Sequence, residues 1–169
     1  TVGSQIQVTT AMMILDAYRA LEKLSYDPRI NADNVAMIGW SLGGGAVLFS
    51  AWEPIMDAIS PSLRFKAHLA FYPPCLVDLD LVSFSSSPIH ILIGELDNWV
   101  SSEACEDLVY ELNEEGVDIN IDIYEGSHHG FDREGPLYIE KNGYKTGECQ
   151  FNMRSDGALL MNFFNIPMT

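Results

Sequence analysis

The stretch that decides the fold is VAMIGWSLGGG, residues 35–45. Its first part, residues 35–39, is almost wholly apolar and too short for a buried helix, which predicts a strand covered on both faces. A helix is predicted to follow over residues 41–59. Between them lies a G-x-S-x-G pattern centred on Ser41. In so tight a turn the central residue is strained, and the residues two places before and after it must be small. The pattern predicts that the Ser41 side chain projects from the end of the sheet.

A serine in this place is suited to nucleophilic chemistry if it has partners. Its hydroxyl is a poor nucleophile unless a base takes the proton, and a third group must hold that base. The N–H of Leu42, at the start of the following helix, can donate to a developing oxyanion with help from the helix dipole. The alternative is a glycine-rich packing turn in which Ser41 is incidental.

The rest of the chain alternates helices with strands. Apolar residues at helical spacing predict the first helix, with Thr9 or Thr10 as its cap. This alternation predicts an α/β fold, a parallel sheet flanked by helices with right-handed crossovers. The other predicted elements are strands over residues 65–73, 89–95 and 117–126 and helices over residues 9–25, 101–116 and 153–165.

Candidate acids follow the predicted strands. In α/β-hydrolases the serine is followed along the chain by an acid and then by a histidine. Asp97 lies just beyond the strand 89–95, where the acid belongs, and Glu95 is its rival. Asp78 and Asp80, after the preceding strand, are weaker candidates. Asp97 as a simple loop carboxylate or helix cap is the alternative.

Candidate bases come from the four histidines. His128 and His129 lie in the loop after the last predicted strand, where the base belongs. They could also be surface residues. Metal binding is disfavoured, since adjacent side chains diverge and no ligand cluster is near in sequence, so no metal or cofactor is implied. His68 and His90 lie in predicted buried strands and are expected to be satisfied core residues.

The charge of the chain limits the classes of partner that it can bind. The formal net charge is −15, which argues against nucleic acid or an anionic membrane because both are polyanions. No apolar run approaches the ~20 residues of a membrane span. The three cysteines have no zinc-site spacing, and either buried free thiols or one disulfide with a free thiol fits them.

Three motifs together resemble the dienelactone hydrolase family of α/β-hydrolases. They are GWSLGGG, LIGELDNW and YEGSHHGFD, preceded by YDPRINADNVAMIGWS, and the likeness covers residues 10–135. The resemblance implies that Ser41 is the nucleophile, Asp97 the acid and His129 the base. His129 is preferred to His128 because the family's histidine stands directly before a small residue and Phe.

The chain departs from the family in two ways. The family's usual nucleophile is cysteine, so Ser41 favours ordinary ester hydrolysis and puts the dienelactone substrate in doubt. The family also has strands before the first helix, and the loop after one of them supplies the second oxyanion donor. We therefore expect residues 1–169 to form a single α/β-hydrolase domain that lacks the amino-terminal strands and is the carboxyl-terminal part of a longer chain.

The resemblance also bears on the cysteines. Some members carry cysteines at the places of Cys75 and Cys105, which implies a disulfide that closes the acid loop. Such a bond would indicate a periplasmic or secreted setting and would leave Cys149 free. Independently, Trp40 and Trp99 flank the predicted nucleophile and acid, so they either line an acyl pocket or pack in the core.

The sequence thus predicts a serine hydrolase acting on a small-molecule ester or lactone. Two other interpretations of its function stay open. The GWS-x-GG pattern with a histidine loop also resembles prolyl-oligopeptidase-type serine peptidases, which carry a large additional domain. A non-catalytic α/β-hydrolase relative that serves as a binding module is the third reading.

Overall fold

A four-stranded parallel sheet organises the chain. The structure is a computed structural model and describes residues 9–60, 62–139, 141, 151–156, 159–161 and 166–167. The helices are α1 (Thr10–Ser25), α2 (Leu42–Phe49), α3 (Glu53–Ile59) and α4 (Ser102–Glu114). The strands are β1 (Met37–Trp40), β2 (His68–Phe71), β3 (Val77–Leu79), β4 (Ile89–Gly94), β5 (Ile119–Tyr124), β6 (Phe151–Met153), β7 (Leu159–Met161) and β8 (Ile166–Pro167).

The main sheet has the order β1-β2-β4-β5, and every neighbouring pair is parallel. Helix α2 packs on β1 and β2, α4 packs on β5, and α1 packs on α2. The predicted parallel sheet with helices beside it is therefore confirmed. All strands of this sheet end at one edge, so the loops after β1, β4 and β5 meet there. None of the helices in the described residues combines the length and apolar character of a membrane span.

The two faces of the sheet differ in burial. Ala70, Ile91 and Ile93 are fully buried against the helices, whereas the alternate positions of the same strands are only partly covered. Ile38 is 50% exposed, so the prediction that this first strand is covered on both faces is wrong for the described residues. Side chains alternate between faces with a period of two, and the helices named above cover the face that carries Ala70 and Ile91.

The histidines in β2 and β4, His68 and His90, lie on opposite faces of the sheet because of the same alternation. His68 is buried, as expected, and its Nδ1 lies 3.0 Å from Ser50 Oγ. His90 is not a core residue: its side chain is 43% exposed, and its Nε2 lies 2.9 Å from Asp122 Oδ2. His90 falls between the buried residues Ile89 and Ile91, so the pleat turns it to the opposite face.

The first helix follows its sequence signals, but the second is interrupted. Thr9 caps α1, accepting a hydrogen bond from the Met12 N–H at 3.2 Å. The single helix predicted over residues 41–59 is instead two helices, α2 and α3. Pro54 lies in the first turn of α3. If α2 continued through Pro54, the proline would have no N–H to donate to the carbonyl four residues earlier, and its ring would clash with that carbonyl.

A second small sheet, in the order β3-β6-β7-β8, was missed by the sequence analysis. The helix predicted over residues 153–165 is wrong, since Met153 ends β6 and Leu159–Met161 form β7, antiparallel to it. A short apolar run does not separate helix from strand by periodicity alone. Cys149 lies outside the described residues.

Candidate active site

Ser41 occupies a strained turn between β1 and α2. Its backbone has φ 53° and ψ −118°, a combination that residues with a Cβ rarely adopt. The Ser41 N–H donates to the Phe71 carbonyl at 2.9 Å, which fixes the turn against the end of β2. Strain of this kind persists only where surrounding structure holds it, and it is the geometry of a nucleophile elbow.

The two glycines around Ser41 are not equivalent. A Cβ on Gly39 would collide with the Gly43 carbonyl and would lie 2.9 Å from Val47. A Cβ on Gly43 would have Met13 as its nearest neighbour, 3.9 Å away. The expectation that both positions must be small is therefore right for Gly39 and wrong for Gly43. The elbow closes because the backbone of Gly43 approaches Gly39, not because Gly43 lacks a side chain.

Leu42 is the first residue of α2. Amides in the first turn of a helix have no carbonyl acceptor within the helix, and the positive end of the helix dipole lies there. The Leu42 N–H thus belongs to the residue that directly follows Ser41 and lies in the first turn of the helix. Its role as a donor remains a prediction, as does a second donor from an earlier segment.

His129 lies between Ser41 and Asp97. Its Nε2 is 2.9 Å from Ser41 Oγ, and its Nδ1 is 2.7 Å from Asp97 Oδ2. The imidazole is 12% exposed and the Asp97 carboxylate is fully buried. The structure thus brings together three side chains separated by as many as 88 positions in the sequence. A hydroxyl, an imidazole and a buried carboxylate in this order can activate the hydroxyl as a nucleophile, because the imidazole takes its proton as the oxygen attacks.

The Asp97 carboxylate is held by its own loop. Oδ1 accepts hydrogen bonds from the backbone N–H groups of Trp99 and Val100, at 2.9 and 3.1 Å. Oδ2 is left for His129. A carboxylate whose one oxygen is bound by the backbone cannot rotate freely, so it fixes the orientation of the imidazole.

The rival acids make other contacts. Glu95 Oε2 accepts from the Gly126 N–H at 2.8 Å, and the Leu96 N–H donates to the Ser127 carbonyl at 2.8 Å. Glu95 therefore ties the acid loop to the histidine loop and does not contact the imidazole. Asp80 accepts from the Ser155 N–H at 2.7 Å, and Asp78 is exposed in β3.

The remaining histidine of the pair, His128, lies in the same loop and is partly buried. The structure brings its neighbour His129, and not His128, to Ser41. Across the described ranges, no three side chains of His, Cys, Asp or Glu are grouped so that they could hold a metal ion.

Both tryptophans lie at the site but make different contacts. Trp99 stacks on His129, with ring centroids 5.1 Å apart. Trp40 stacks on Phe71 at 5.4 Å, is 44% exposed, and donates from Nε1 to Asp132 Oδ2 at 2.7 Å. Neither ring is simply buried in the core. Whether either contacts an acyl group remains a prediction.

Sequence reasoning missed Tyr72 and Asp132. Tyr72 follows β2 with a positive φ of 37°, and its ring centroid lies 4.5 Å from that of His129. Its hydroxyl donates to Asp132 Oδ1 at 2.7 Å. Asp132 belongs to the motif YEGSHHGFD, so its proximity to the base was a signal, whereas only its place at the end of a strand marks Tyr72.

A disulfide lies close to the site. It joins Cys75, in the segment after β2, to Cys105 in α4, and it is the pair that the family resemblance implies. Both cysteines are buried. The bond spans the stretch that contains β4 and the Asp97 loop, and it thereby anchors α4 next to Tyr72 and the end of β2.

The chain matches known proteins over most of its length. Residues 2–150 match the model of the dienelactone hydrolase family. A curated protein of Bradyrhizobium sp., a probable 2-oxo-3-(5-oxofuran-2-ylidene)propanoate lactonase, is 24% identical over 123 residues, which are 70% of this chain and 48% of that protein. The chain therefore spans about half the length of this curated relative.

Solved structures of similar fold include esterases. Apo esterase 2 of Thermogutta terrifontis is 19% identical, with a TM-score of 0.61 over 79% of this chain and 60% of that one. The same esterase phosphonylated by cyclosarin is 19% identical, with a TM-score of 0.63 over 80% and 60%. At this identity the likeness establishes the fold, which is that of an α/β-hydrolase.

Proposed function

The chain belongs to the dienelactone hydrolase family, and we propose that it hydrolyses carboxylic esters or lactones through an acyl-enzyme on Ser41. The observation that carries the proposal is the chain of two hydrogen-bond distances from Ser41 Oγ through His129 to Asp97, 2.9 and 2.7 Å. These are within the range in which a base can take a proton from its nucleophile.

Acylation uses each of the three side chains. His129 Nε2 takes the Ser41 proton while Oγ attacks the acyl carbon, and the carbonyl oxygen becomes an oxyanion beside the Leu42 N–H. The bond to the leaving oxygen then breaks, and the imidazolium returns the proton to that oxygen. Asp97 holds the tautomer with the proton on Nδ1 and stabilises the charged ring.

Deacylation repeats these steps with water as the nucleophile. His129 takes a proton from water, hydroxide attacks the acyl carbon, and Ser41 leaves with the proton. An ester yields an acid and an alcohol, whereas a lactone yields one hydroxy acid because both products are the same molecule. The Bradyrhizobium relative is named as a lactonase, which is why lactones are included in the proposed substrate class.

Adjacent histidines give a matched pair for the test. We expect the full-length protein to hydrolyse p-nitrophenyl acetate and to be labelled by a fluorophosphonate probe. Ser41→Ala and His129→Gln should each lower kcat by a factor on the order of 10⁴ or more. Circular dichroism should show that both variants keep the fold. His128→Gln, the control, should change kcat less than about threefold, since the Nε2 facing Ser41 belongs to His129.

Several outcomes would contradict the proposal. Turnover unchanged by Ser41→Ala, or equal losses in His128→Gln and His129→Gln, would remove these residues from the chemistry. Cleavage of an aminoacyl-prolyl anilide in preference to p-nitrophenyl acetate would favour a peptidase. A folded, full-length protein that neither turns over esters nor takes the probe would favour a binding module.

A further inference from the structure

The carboxylate of Asp132 accepts two hydrogen bonds from aromatic side chains. Trp40 Nε1 donates to Oδ2 and the Tyr72 hydroxyl donates to Oδ1, each at 2.7 Å. Both distances are those of short, charge-assisted hydrogen bonds, which are roughly twice as strong as neutral ones. Asp132 is exposed, so water alone could supply the hydrogen bonds that its carboxylate needs. The two side-chain donors are therefore not needed merely to solvate the charge.

The three residues come from the loops and strand ends that carry the proposed triad. Trp40 directly precedes Ser41, and Asp132 lies three positions after His129. Tyr72 directly follows Phe71, whose carbonyl accepts the Ser41 N–H. The Asp132 carboxylate therefore links the histidine loop to Trp40 and Tyr72, the chain neighbours of the two residues that form this hydrogen bond.

Tyr72 connects this link to the imidazole. Its ring lies 4.5 Å from His129, and its own backbone is held by the Leu92 carbonyl at 2.7 Å. Burial, and then the hydrogen bond to Asp132, raise the pKa of Tyr72 above its ordinary value, so its hydroxyl stays a donor across the working pH range. The positive φ of Tyr72 is a strained conformation that neighbouring contacts must maintain.

We propose that Asp132 is a positioning residue, which sets the distance between His129 and Ser41 by holding the histidine loop against Trp40 and Tyr72. The inference rests on the proposed function, because it gives the reason why the base stays within reach of the nucleophile. Asp132 does not touch the reacting atoms. Displacements near 1 Å at a nucleophile–base pair cost on the order of 10²-fold in rate, so a loop tether of this kind has a measurable kinetic effect.

The test compares variants of Asp132 with a nearby acid. Asp132→Ala should lower kcat on p-nitrophenyl acetate by about 10- to 100-fold while KM changes less than about threefold. Asp132→Asn, which keeps one acceptor, should recover part of that loss. Glu134→Ala removes a charge from the same exposed loop and, as the matched control, should leave kcat within about twofold.

A double variant distinguishes positioning of the histidine loop by Asp132 from a general loss of stability. In the Asp132→Ala background, Tyr72→Phe should cost little more, because its hydrogen-bond partner is already gone. If Asp132→Ala lowered only the unfolding temperature and left kcat unchanged well below it, the role would be merely structural and the proposal overturned. Full additivity of the two substitutions would also overturn it.

A spectroscopic readout distinguishes failure of this proposal from failure of the proposed function. His129 ring resonances, assigned by their absence in His129→Gln, should be sharp in the wild type and broadened by exchange in Asp132→Ala. Should the wild type hydrolyse no ester, that broadening would still support the tether. Unchanged His129 resonances in Asp132→Ala would overturn the tether whatever the activity.

Discussion

The indole of Trp99 stacks on the imidazole of His129, with ring centroids 5.1 Å apart and ring planes 9° apart. The backbone N–H of the same residue donates to Asp97 Oδ1 at 2.9 Å. Trp99 thus contacts both the proposed base and the proposed acid. This placement favours a role in orienting the imidazole over a role in lining an acyl pocket.

The first prediction separates these two roles of Trp99. Trp99→Ala should lower kcat on p-nitrophenyl acetate by up to about tenfold, since aromatic pairs contribute about 0.5–1.5 kcal/mol beyond their buried area. Trp99→Phe keeps a stacking ring and should lose less. The ranking of p-nitrophenyl esters by acyl length should stay the same in both variants. A changed ranking with an unchanged kcat would instead make Trp99 part of the acyl pocket.

The second prediction concerns the two acids of the ELD segment. Asp97→Asn should reduce kcat on the order of 10⁴-fold, because an amide in that place favours the wrong tautomer of His129. Glu95→Gln should cost less than about tenfold, since its side-chain oxygen can still accept from the Gly126 N–H. Steady-state kinetics of the two purified variants provide the comparison. Losses of similar size in both would contradict the assignment of Asp97 as the acid.

The main sheet was predictable because its signals are local. The apolar run before Gly39, the caps of the helices and the alternation of elements each depend on a few adjacent residues. The second sheet gives no such signal, since β3 and β6 are three residues each and pair across more than 70 positions. The apolar residues 159–161 fit a helix as well as a strand until their partner β6 is known.

Motif order similarly identified Ser41, Asp97 and His129 as candidates, and the structure brings them within hydrogen-bond distance. The contacts of Asp132 with Tyr72 could not be found in this way, because they join side chains 60 positions apart and no motif links them. The break of the helix at residues 50–52 was signalled by Pro54, a local feature whose effect the apolar periodicity masked.

The third prediction uses the unequal glycines of the elbow. Gly39→Ala should destabilise the chain by about 1–3 kcal/mol or more, because its Cβ meets the backbone of Gly43 and cannot move aside. Gly43→Ala should be neutral or stabilising by up to about 1 kcal/mol, since its Cβ has room and alanine favours the helix. Urea unfolding of both variants measures the difference. Equal destabilisation would show that both glycines are sterically required.

The fourth prediction concerns the disulfide between Cys75 and Cys105. Replacing both cysteines by alanine should lower the free energy of unfolding by roughly 2–4 kcal/mol, because the bond closes a loop of 30 positions in the unfolded chain. Wild type measured in dithiothreitol should show the same loss, and the double variant should not respond to dithiothreitol. A double variant as stable as the oxidised wild type would show that the bond contributes no net stability.

The last prediction follows from the burial of His68. Burial lowers the pKa of His68 to about 4, with the Val47 carbonyl acting weakly in the opposite direction, whereas an unfolded histidine titrates near 6.5. The unfolded chain therefore binds a proton first as the pH falls. The stability that depends on neutral His68 is complete above about pH 6.5 and is lost progressively down to about pH 4.

Replacing His68 tests this pH dependence directly. In His68→Gln the free energy of unfolding should fall less between about pH 6.5 and pH 4, by up to about 1.4 kcal/mol per pH unit relative to wild type. The variant loses packing against Phe65 and its contact with Ser50 at every pH, so the diagnostic quantity is the slope and not the absolute stability. Urea unfolding at four pH values across this window measures it, and parallel slopes in wild type and variant would show that His68 does not control acid stability.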